Sequence, residues 1–378
     1  MAGGLSGRPL RFEAYESLAD RPHVMVDGAA RASSVLTLSH WPQSPTPPAL
    51  ARDISVASVL AYVRLVKATC SGRPVPRGRA GLRAALANGA LAEAVTNDHF
   101  DEDGLMSVYA LVDPEAALSC DNLLTAVAMC GDFGVVSNEQ VARVAFAMAP
   151  LADAEAGAGS GTSALYEAVL PRVPELLAHP DRFERFWGAE AGQLAYGRAA
   201  LASGEVEIVL HNDLDLAVVS RISGGSPSEH PAGAAGGLPV HAAVVHSSTT
   251  ASRIVAFDGQ LCDVYLRYEG WVKMVSRAVP LRPDLAPLAE QLSAEEPSGV
   301  GWQANGVGAI VARLCPGGEG RSELDPARIV SVVRQYLATA EPAWDPWRPA
   351  GGYIPVQERP GYMQRRRRHP KPGRAGAH

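Results

Sequence analysis

Short apolar runs alternate with helix-like segments through the first part of the chain, and this alternation limits the fold more than any other feature. Residues 23–28 and 34–41 are short, apolar and bounded by turn residues, which is typical of buried parallel strands. Residues 53–67 carry apolar side chains at helical spacing, with Asp53 as the expected N-cap. A further strand is predicted at 93–96. Strands that alternate with helices form parallel sheets, so an α/β domain is predicted here.

The composition and the predicted secondary structure of the chain change twice after this region. Small residues dominate 153–162, and residues 153–204 are predicted to be a linker with a long helical connector. Residues 205–340 are predicted to form a smaller, β-rich α+β domain, which leaves residues 1–152 as the α/β domain. Residues 341–378, rich in Pro and Arg, are expected to be disordered because they have little apolar surface to bury. The strand-like runs of the second domain are Glu205–Leu210, Asp215–Ile222, Val240–His246, Arg253–Phe257 and Leu261–Tyr268.

Composition excludes several functional classes. The net charge of −6 over 378 residues excludes a general nucleic-acid-binding field, and only Arg365–Arg368 is predicted to make weak nucleic-acid contacts. The alternative for that block is a solvated tail. Five dispersed cysteines without a CxxC pair argue against a disulfide framework or structural zinc, so a reduced, cytoplasmic protein is expected. No run of about 18 apolar residues is present, so no membrane partner is expected, and the sequence indicates no oligomeric state.

The strongest chemical signal is the segment from Thr96 to Gly104, where His99, Asp101 and Asp103 alternate with other residues. In an extended backbone such residues point to one side, so the three side chains are expected to converge. They follow a predicted strand, and open α/β sheets bind ligands at the carboxyl ends of their strands. Gly104 would permit a tight turn or a close backbone approach.

Carboxylates and an imidazole in this pattern predict a divalent-metal site. Oxygen ligands suit Mn²⁺ and Mg²⁺, and the imidazole favours Mn²⁺. One or two ions are expected, and two ions that share carboxylates would polarise a phosphate and activate a water nucleophile. An EF-hand is excluded because Ala110 occupies the position of its bidentate Glu. A solvated acidic turn that caps the next helix remains the plain alternative.

Other candidate ligands stand at comparable places in the same domain. Asp27 ends the first predicted strand and His40 ends the second, while Asp132 stands at the end of a helix. Asp98 precedes His99 directly. Each alone is weak evidence, because a strand-end Asp is usually a turn former. Their shared location at element ends in one α/β domain makes the set a candidate site.

The segment from His99 to Ser107 resembles the first motif of the DHH phosphoesterase superfamily, His-x-Asp-x-Asp-Gly-x-x-Ser/Ala. The resemblance implies a catalytic α/β domain that binds two Mn²⁺ or Mg²⁺ ions, a helical connector and a smaller substrate-binding domain. It also implies hydrolysis of phosphodiester or phosphoanhydride bonds, with His99, Asp101 and Asp103 as catalytic ligands. Two family features are missing: an Asp-His-His triplet, and the Gly-Gly-His loop, whose place residues 301–308 take.

Three side chains of the second domain are predicted to bind an anionic substrate. His246 and Arg253 bound a hydroxyl-rich segment that follows a predicted strand, and Arg277 is a second candidate phosphate contact. A plain polar turn is the alternative for the first two. The sequence thus predicts a metal-dependent phosphoesterase for a phosphorylated small molecule or short oligonucleotide. The alternative function is a catalytically decayed DHH-like protein that binds a nucleotide or a protein partner.

Overall fold

The computed structural model describes residues 9–76, 81–222, 237–349 and 351–359. The strands are β1 (Arg11–Phe12), β2 (His23–Val26), β3 (Ser34–Leu38), β4 (Ala94–Thr96), β5 (Val206–His211), β6 (Leu216–Arg221), β7 (Arg253–Asp258), β8 (Leu261–Leu266), β9 (Arg282–Pro283), β10 (Trp302–Ala304), β11 (Ala312–Pro316) and β12 (Pro342–Trp344). The α-helices are α1 (Ser55–Cys70), α2 (Leu82–Gly89), α3 (Glu102–Val112), α4 (Pro114–Ser119), α5 (Asp121–Phe133), α6 (Glu139–Ala156), α7 (Thr162–Val169), α8 (Val173–Ala178), α9 (Glu184–Ser203), α10 (Ala242–Ser248), α11 (Ala286–Glu295) and α12 (Pro326–Thr339).

The first sheet is entirely parallel and has the order β1-β4-β2-β3. Strand β2 lies inside it, and Val24, Met25 and Val26 are completely buried, as an apolar run covered on both faces requires. Helices α1 and α3 pack together and against this sheet. Because the strands are parallel, the carboxyl ends of β2, β3 and β4 lie at one edge.

The helical middle of the chain packs into the same core as the parallel sheet. Helix α6 runs on to Ala156 and packs along α9, and α7 packs on α6. Tyr166 and Val169 of α7 are completely buried. The predicted α/β layout with a helical connector is therefore present, and the connector contributes directly to the core around the first sheet.

The second sheet is mixed and has the order β10-β11-β8-β7-β6-β5. Only the pair β6–β7 is parallel. Alternation along β7 divides the sheet between two cores, as the pleat requires. Ile254 and Ala256 face the core of the first sheet. Val255 and Phe257 face a second core formed with α11 and α12.

Residues 240–246 do not form the predicted strand. They enter helix α10, whose first turn is capped by the His241 side chain, which accepts a hydrogen bond from the Ala243 amide at 3.2 Å. Val244 packs so closely on α9 that a Cβ added at Gly197 would lie 2.8 Å from it. Packing against α9 thus overrides the strand preference of the valines.

The segment after Glu341 is also more ordered than its composition predicts. Strand β12 pairs with β9, and the ring of Trp344 stacks on Trp271 at 5.9 Å between ring centroids. Ile354 is completely buried. The Arg365–Arg368 block lies outside the described residues. Within the described ranges, no helix is long and apolar enough to cross a membrane.

Candidate metal centre

Three strand ends and two helices deliver a cluster of acidic and histidine side chains to the carboxyl edge of the parallel sheet. Asp27 follows β2, His40 follows β3 by two residues, and His99 follows β4 by three. Asp103 lies in the first turn of α3, and Asp132 lies in the last turn of α5. The sites predicted separately along the sequence are therefore one site in space.

The inner group consists of Asp27, His40, Asp103 and Asp132. The Nε2 atom of His40 lies 3.4 Å from Asp27 Oδ1, 3.9 Å from Asp103 Oδ2 and 3.2 Å from Asp132 Oδ2. All four side chains are almost fully buried. One ligand atom from each lies within 4.8 Å of the others, which is close enough for one cation.

The outer group consists of Asp27, His99 and Asp101. The Nε2 atom of His99 lies 3.3 Å from Asp27 Oδ2 and 2.8 Å from Asp101 Oδ2. His99 and Asp101 are 30% and 32% exposed, whereas Asp27 is 1% exposed. The cluster is therefore closed at the inner group and open to solvent at the outer group.

Asp27 joins the two groups, because its Oδ1 faces His40 and its Oδ2 faces His99. Its backbone has φ = 42°, which is uncommon for a non-glycine residue and is often found at functional sites. The Asn97 side-chain amide holds this backbone by donating to the carbonyls of Val26 and Asp27 at 3.0 and 3.1 Å. The Ser55 hydroxyl donates to Asp27 Oδ1 at 2.7 Å. Both contacts orient a carboxylate that could bridge two ions.

Both imidazoles are oriented through Nδ1, so that Nε2 points to the carboxylates. His40 Nδ1 lies 2.6 Å from the Asp53 carbonyl, which can only accept a hydrogen bond. His99 Nδ1 lies 2.9 Å from Asp98 Oδ1. With Nδ1 protonated, each Nε2 presents a lone pair to carboxylate oxygens unless a proton or a cation lies between them. Asp98 thus orients His99 from outside the two groups, which differs from the ligand role predicted for it.

The acidic loop converges by a different route from the extended alternation that the sequence predicts. Asp101 is extended and is the N-cap of α3, where its Oδ1 accepts the Gly104 amide at 2.8 Å, whereas His99 lies in a bend. Asp103 is already helical. Its two oxygens accept the amides of Ser55 and Val56 at 2.7 Å each, so it caps α1, and Asp53 does not. Asp53 instead accepts hydrogen bonds from the backbone of Val275 and Ser276.

Burial and mutual charge shift the protonation of the whole cluster. Burial opposes charge on His40, but Asp132 and Asp27 outweigh it and hold the pKa of His40 well above its ordinary value. Burial raises the pKa of Asp132 to about 7, against the opposing effect of His40. Burial and then Asp27 raise the pKa of Asp103. The metal-free cluster therefore needs protons to offset its negative charge.

The donor set fits divalent cations. Asp27, Asp101, Asp103 and Asp132 bring four formal negative charges, which two divalent ions would neutralise. Asp27 Oδ2 and Asp132 Oδ2 are buried and face the Nε2 atoms of His99 and His40, at 3.3 and 3.2 Å, so each is placed to share a cation with an imidazole. Carboxylate oxygens with two imidazoles are ligands that suit Mn²⁺.

One comparison with known proteins assigns the chain to a family. Residues 8–348 match a family described as "Family of unknown function (DUF6687)". The chain belongs to the DUF6687 family. No curated protein and no solved structure matches it, so neither of those comparisons tests the resemblance to the DHH phosphoesterases.

The predicted substrate residues of this DUF6687 protein belong to neither ligand group. His246 and Arg277 line a cavity of about 570 Å³ that contains no member of either group. His246 is bonded at both nitrogens, to the Phe133 carbonyl at 3.1 Å and to the Tyr265 hydroxyl at 3.0 Å. Arg253 does not line this cavity and instead donates to the Leu214 carbonyl at 2.9 Å.

Sequence reasoning missed the residues that support the ligands. Ser55, Asn97 and Tyr166 contact or approach the cluster from α1, the loop after β4 and α7. Asn97 lies within the acidic segment 96–104, and this position offered a signal. Ser55 and Tyr166 carry no signal in the sequence, because only the packing of distant elements brings them to the site.

Proposed function

We propose that this protein is a divalent-metal-dependent phosphoesterase that acts on a nucleotide or short oligonucleotide phosphodiester. One observation carries the proposal: two groups of Asp and His ligands share Asp27 at the carboxyl edge of a parallel sheet. The resemblance of residues 99–107 to the first DHH motif supports the same chemistry. When bound, Mn²⁺ or Mg²⁺ would polarise the phosphate ester and make water a better nucleophile.

The residues of the chain divide this work between them. Asp27, His40, Asp103 and Asp132 would hold one ion, and Asp27, His99 and Asp101 would hold a second. The partly exposed His99 and Asp101 mark the side from which a phosphorylated substrate would enter. Asp98 and Asn97 orient the outer group. The five cysteines, dispersed along the sequence without a CxxC pair, support a reducing, cytoplasmic compartment.

A catalytically decayed relative that binds a nucleotide or a protein partner is the second candidate. One contact favours it: both oxygens of Asp103 already accept amide hydrogens of α1, which gives this carboxylate a role in the fold without a metal. The missing Asp-His-His triplet favours it too.

Mn²⁺ binding and Mn²⁺-dependent hydrolysis separate these functions. We expect calorimetry to detect Mn²⁺ binding by the wild type, and Mn²⁺ at about 100 times the dissociation constant to stabilise the fold by about 2.7 kcal/mol. Hydrolysis of bis(p-nitrophenyl) phosphate should require Mn²⁺ and be lost on chelation. Asp101→Asn should weaken Mn²⁺ binding and abolish turnover.

Asp113→Asn is the matched control. Asp113 also caps a helix, by accepting the Ala116 amide at 3.1 Å, and Asn caps equally well. It should leave binding and turnover unchanged. Mn²⁺ binding without turnover of any phosphodiester would favour the decayed relative. A protein whose unfolding temperature and calorimetric signal ignore Mn²⁺ would refute the metal centre.

A further inference from the structure

Tyr166 brings a completely buried hydroxyl from α7 to the metal centre. Its ring is fixed from two sides: it stacks on Phe12 with 4.8 Å between ring centroids, and it meets Phe100 edge to face at 5.2 Å. These contacts leave the ring little freedom. The position of the hydroxyl is therefore set by the packing of three separate elements.

The hydroxyl points at the first turn of α3, beside the outer ligand group. A Cβ built on Gly104 would lie 2.6 Å from the Tyr166 hydroxyl, 2.8 Å from Asn97 Nδ2 and 3.1 Å from Asp101 Oδ1. Three polar atoms thus crowd one point next to the ligand Asp101. Only glycine leaves room for them, so the absent side chain at position 104 serves this approach.

The Tyr166 hydroxyl forms no hydrogen bond with any described residue. The Asn97 amide cannot supply one, because its Nδ2 already donates to the carbonyls of Val26 and Asp27. A tyrosine hydroxyl is protonated at neutral pH, so the group is a hydrogen-bond donor. A buried donor without an acceptor costs folding free energy, which a purely structural phenylalanine would avoid.

The ligand beside it has a contact that a cation would replace. Asp101 Oδ2 lies 2.8 Å from His99 Nε2, and both atoms belong to the outer group. A cation held by His99 and Asp101 takes the place of that mutual contact. Carboxylates that bind metals are usually themselves hydrogen-bonded by a neighbouring donor, and loss of that donor weakens metal binding.

We infer that Tyr166 is a positioning residue of the metal centre, whose hydroxyl donates a hydrogen bond to the Asp101 carboxylate when the outer group holds a cation. The inference rests on the proposed metal-dependent function, and it adds a residue from outside the α/β sheet to that site. The unpaired hydroxyl destabilises the metal-free protein, and the hydrogen bond that it forms in the metal-bound protein strengthens cation binding. Tyr166 is not a ligand and does not touch the substrate.

The test compares Tyr166→Phe with Tyr62→Phe, measuring Mn²⁺ affinity by calorimetry and the unfolding temperature of the metal-free proteins. Tyr62 is also buried in this core, but its hydroxyl lies against Gly89. We expect Tyr166→Phe to weaken Mn²⁺ binding by about 10- to 100-fold. Its metal-free unfolding temperature should equal or exceed that of the wild type. Tyr62→Phe should leave the affinity unchanged.

Weaker Mn²⁺ binding together with an equal or higher metal-free unfolding temperature identifies a positioning role for Tyr166. Unchanged Mn²⁺ affinity in Tyr166→Phe would overturn the inference, and so would a fall in its metal-free unfolding temperature, since that indicates a packing role alone. Equal weakening by Tyr62→Phe would overturn it as well. Failure of the wild type to bind Mn²⁺ would refute the proposed function too, whereas wild-type binding with an unchanged Tyr166→Phe refutes only this inference.

Discussion

Two requirements conflict at Asp27: its backbone conformation favours glycine, whereas the ligand groups need its carboxylate. Its left-handed backbone costs about 1–3 kcal/mol for a non-glycine residue, yet glycine there would remove the carboxylate that both ligand groups share. Asn97 compensates by donating hydrogen bonds from its side-chain amide to the carbonyls of Val26 and of Asp27 itself. The same amide lies next to Gly104, so the geometry of the acidic loop and that of Asp27 depend on each other.

Gly104→Ala is expected to destabilise the protein by about 1–3 kcal/mol, because the new methyl group would overlap Tyr166 and Asn97. Gly192→Ala is the matched control, since it is also helical and a Cβ there meets open space. It should stabilise the protein by about 0.5–1 kcal/mol. Urea unfolding measures the free energy of unfolding of both variants. If both substitutions stabilised the protein, helix propensity and not crowding at the site would decide the effect of Gly104→Ala.

At the scale of elements, two short strands attach the end of the described chain to the body. Strand β12 pairs with β9, and Trp344 donates from its indole nitrogen to the Trp271 carbonyl at 3.1 Å. Trp271 also packs edge to face on Trp41, which stacks on His99 of the outer ligand group. A column of aromatic rings therefore connects β12 to the candidate metal centre.

Trp344→Ala should cost about 3–5 kcal/mol of unfolding free energy, because it removes a ring that is 9% exposed and leaves a cavity beside Trp271. Trp347→Ala, three residues on, removes a ring that is 41% exposed and should change the free energy by less than about 1 kcal/mol. Thermal or urea unfolding distinguishes the two. A similar small effect of both would mean that this segment is not held by Trp344.

At the scale of the whole molecule, α10 lies between the core of the first sheet and the second sheet. His246 of α10 bonds the Phe133 carbonyl at the end of α5 and the Tyr265 hydroxyl on β8. Arg267 adds a donor to the same Phe133 carbonyl at 3.1 Å. The join between the two parts of the molecule thus depends on a histidine that is neutral in the folded state.

Stability should consequently fall in mild acid. Burial and then Arg267 lower the pKa of His246 to about 3, from an ordinary value of 6.5. The unfolded chain therefore binds the proton first, so stability is fully present above pH 6.5 and is lost as the pH falls towards 3. The loss from this group approaches about 1.4 kcal/mol for each pH unit.

His246→Gln removes this group, and urea unfolding of metal-free wild type and variant between pH 7 and pH 4 isolates it. The advantage of the wild type should shrink as the pH falls. His40 and His99, whose pKa values are raised, contribute in the opposite direction but cancel in the difference. An advantage that does not change with pH would contradict a neutral His246.

Local pattern was sufficient for three of the four strands of the first sheet, but it missed β1. Residues 23–26, 34–38 and 94–96 are strands because apolar, β-branched runs of that length bury well on both faces. It failed at 240–246, where α9 packs against the valines, and beyond Glu341, where Trp271 receives Trp344. In both places the deciding partner is distant in sequence, so no window around the segment contains the information.

The sequence by itself determined the chemistry of the acidic segment 96–104, namely which carboxylates and which imidazole are available and which strand they follow. Tertiary structure alone decided their arrangement. In the folded chain Asp103 accepts amide hydrogens of α1, and Asp132 and His40 join the inner group. The Tyr166 hydroxyl lies against Gly104. The physical reason is that side-chain type and local periodicity are local properties, whereas convergence depends on the packing of separate elements.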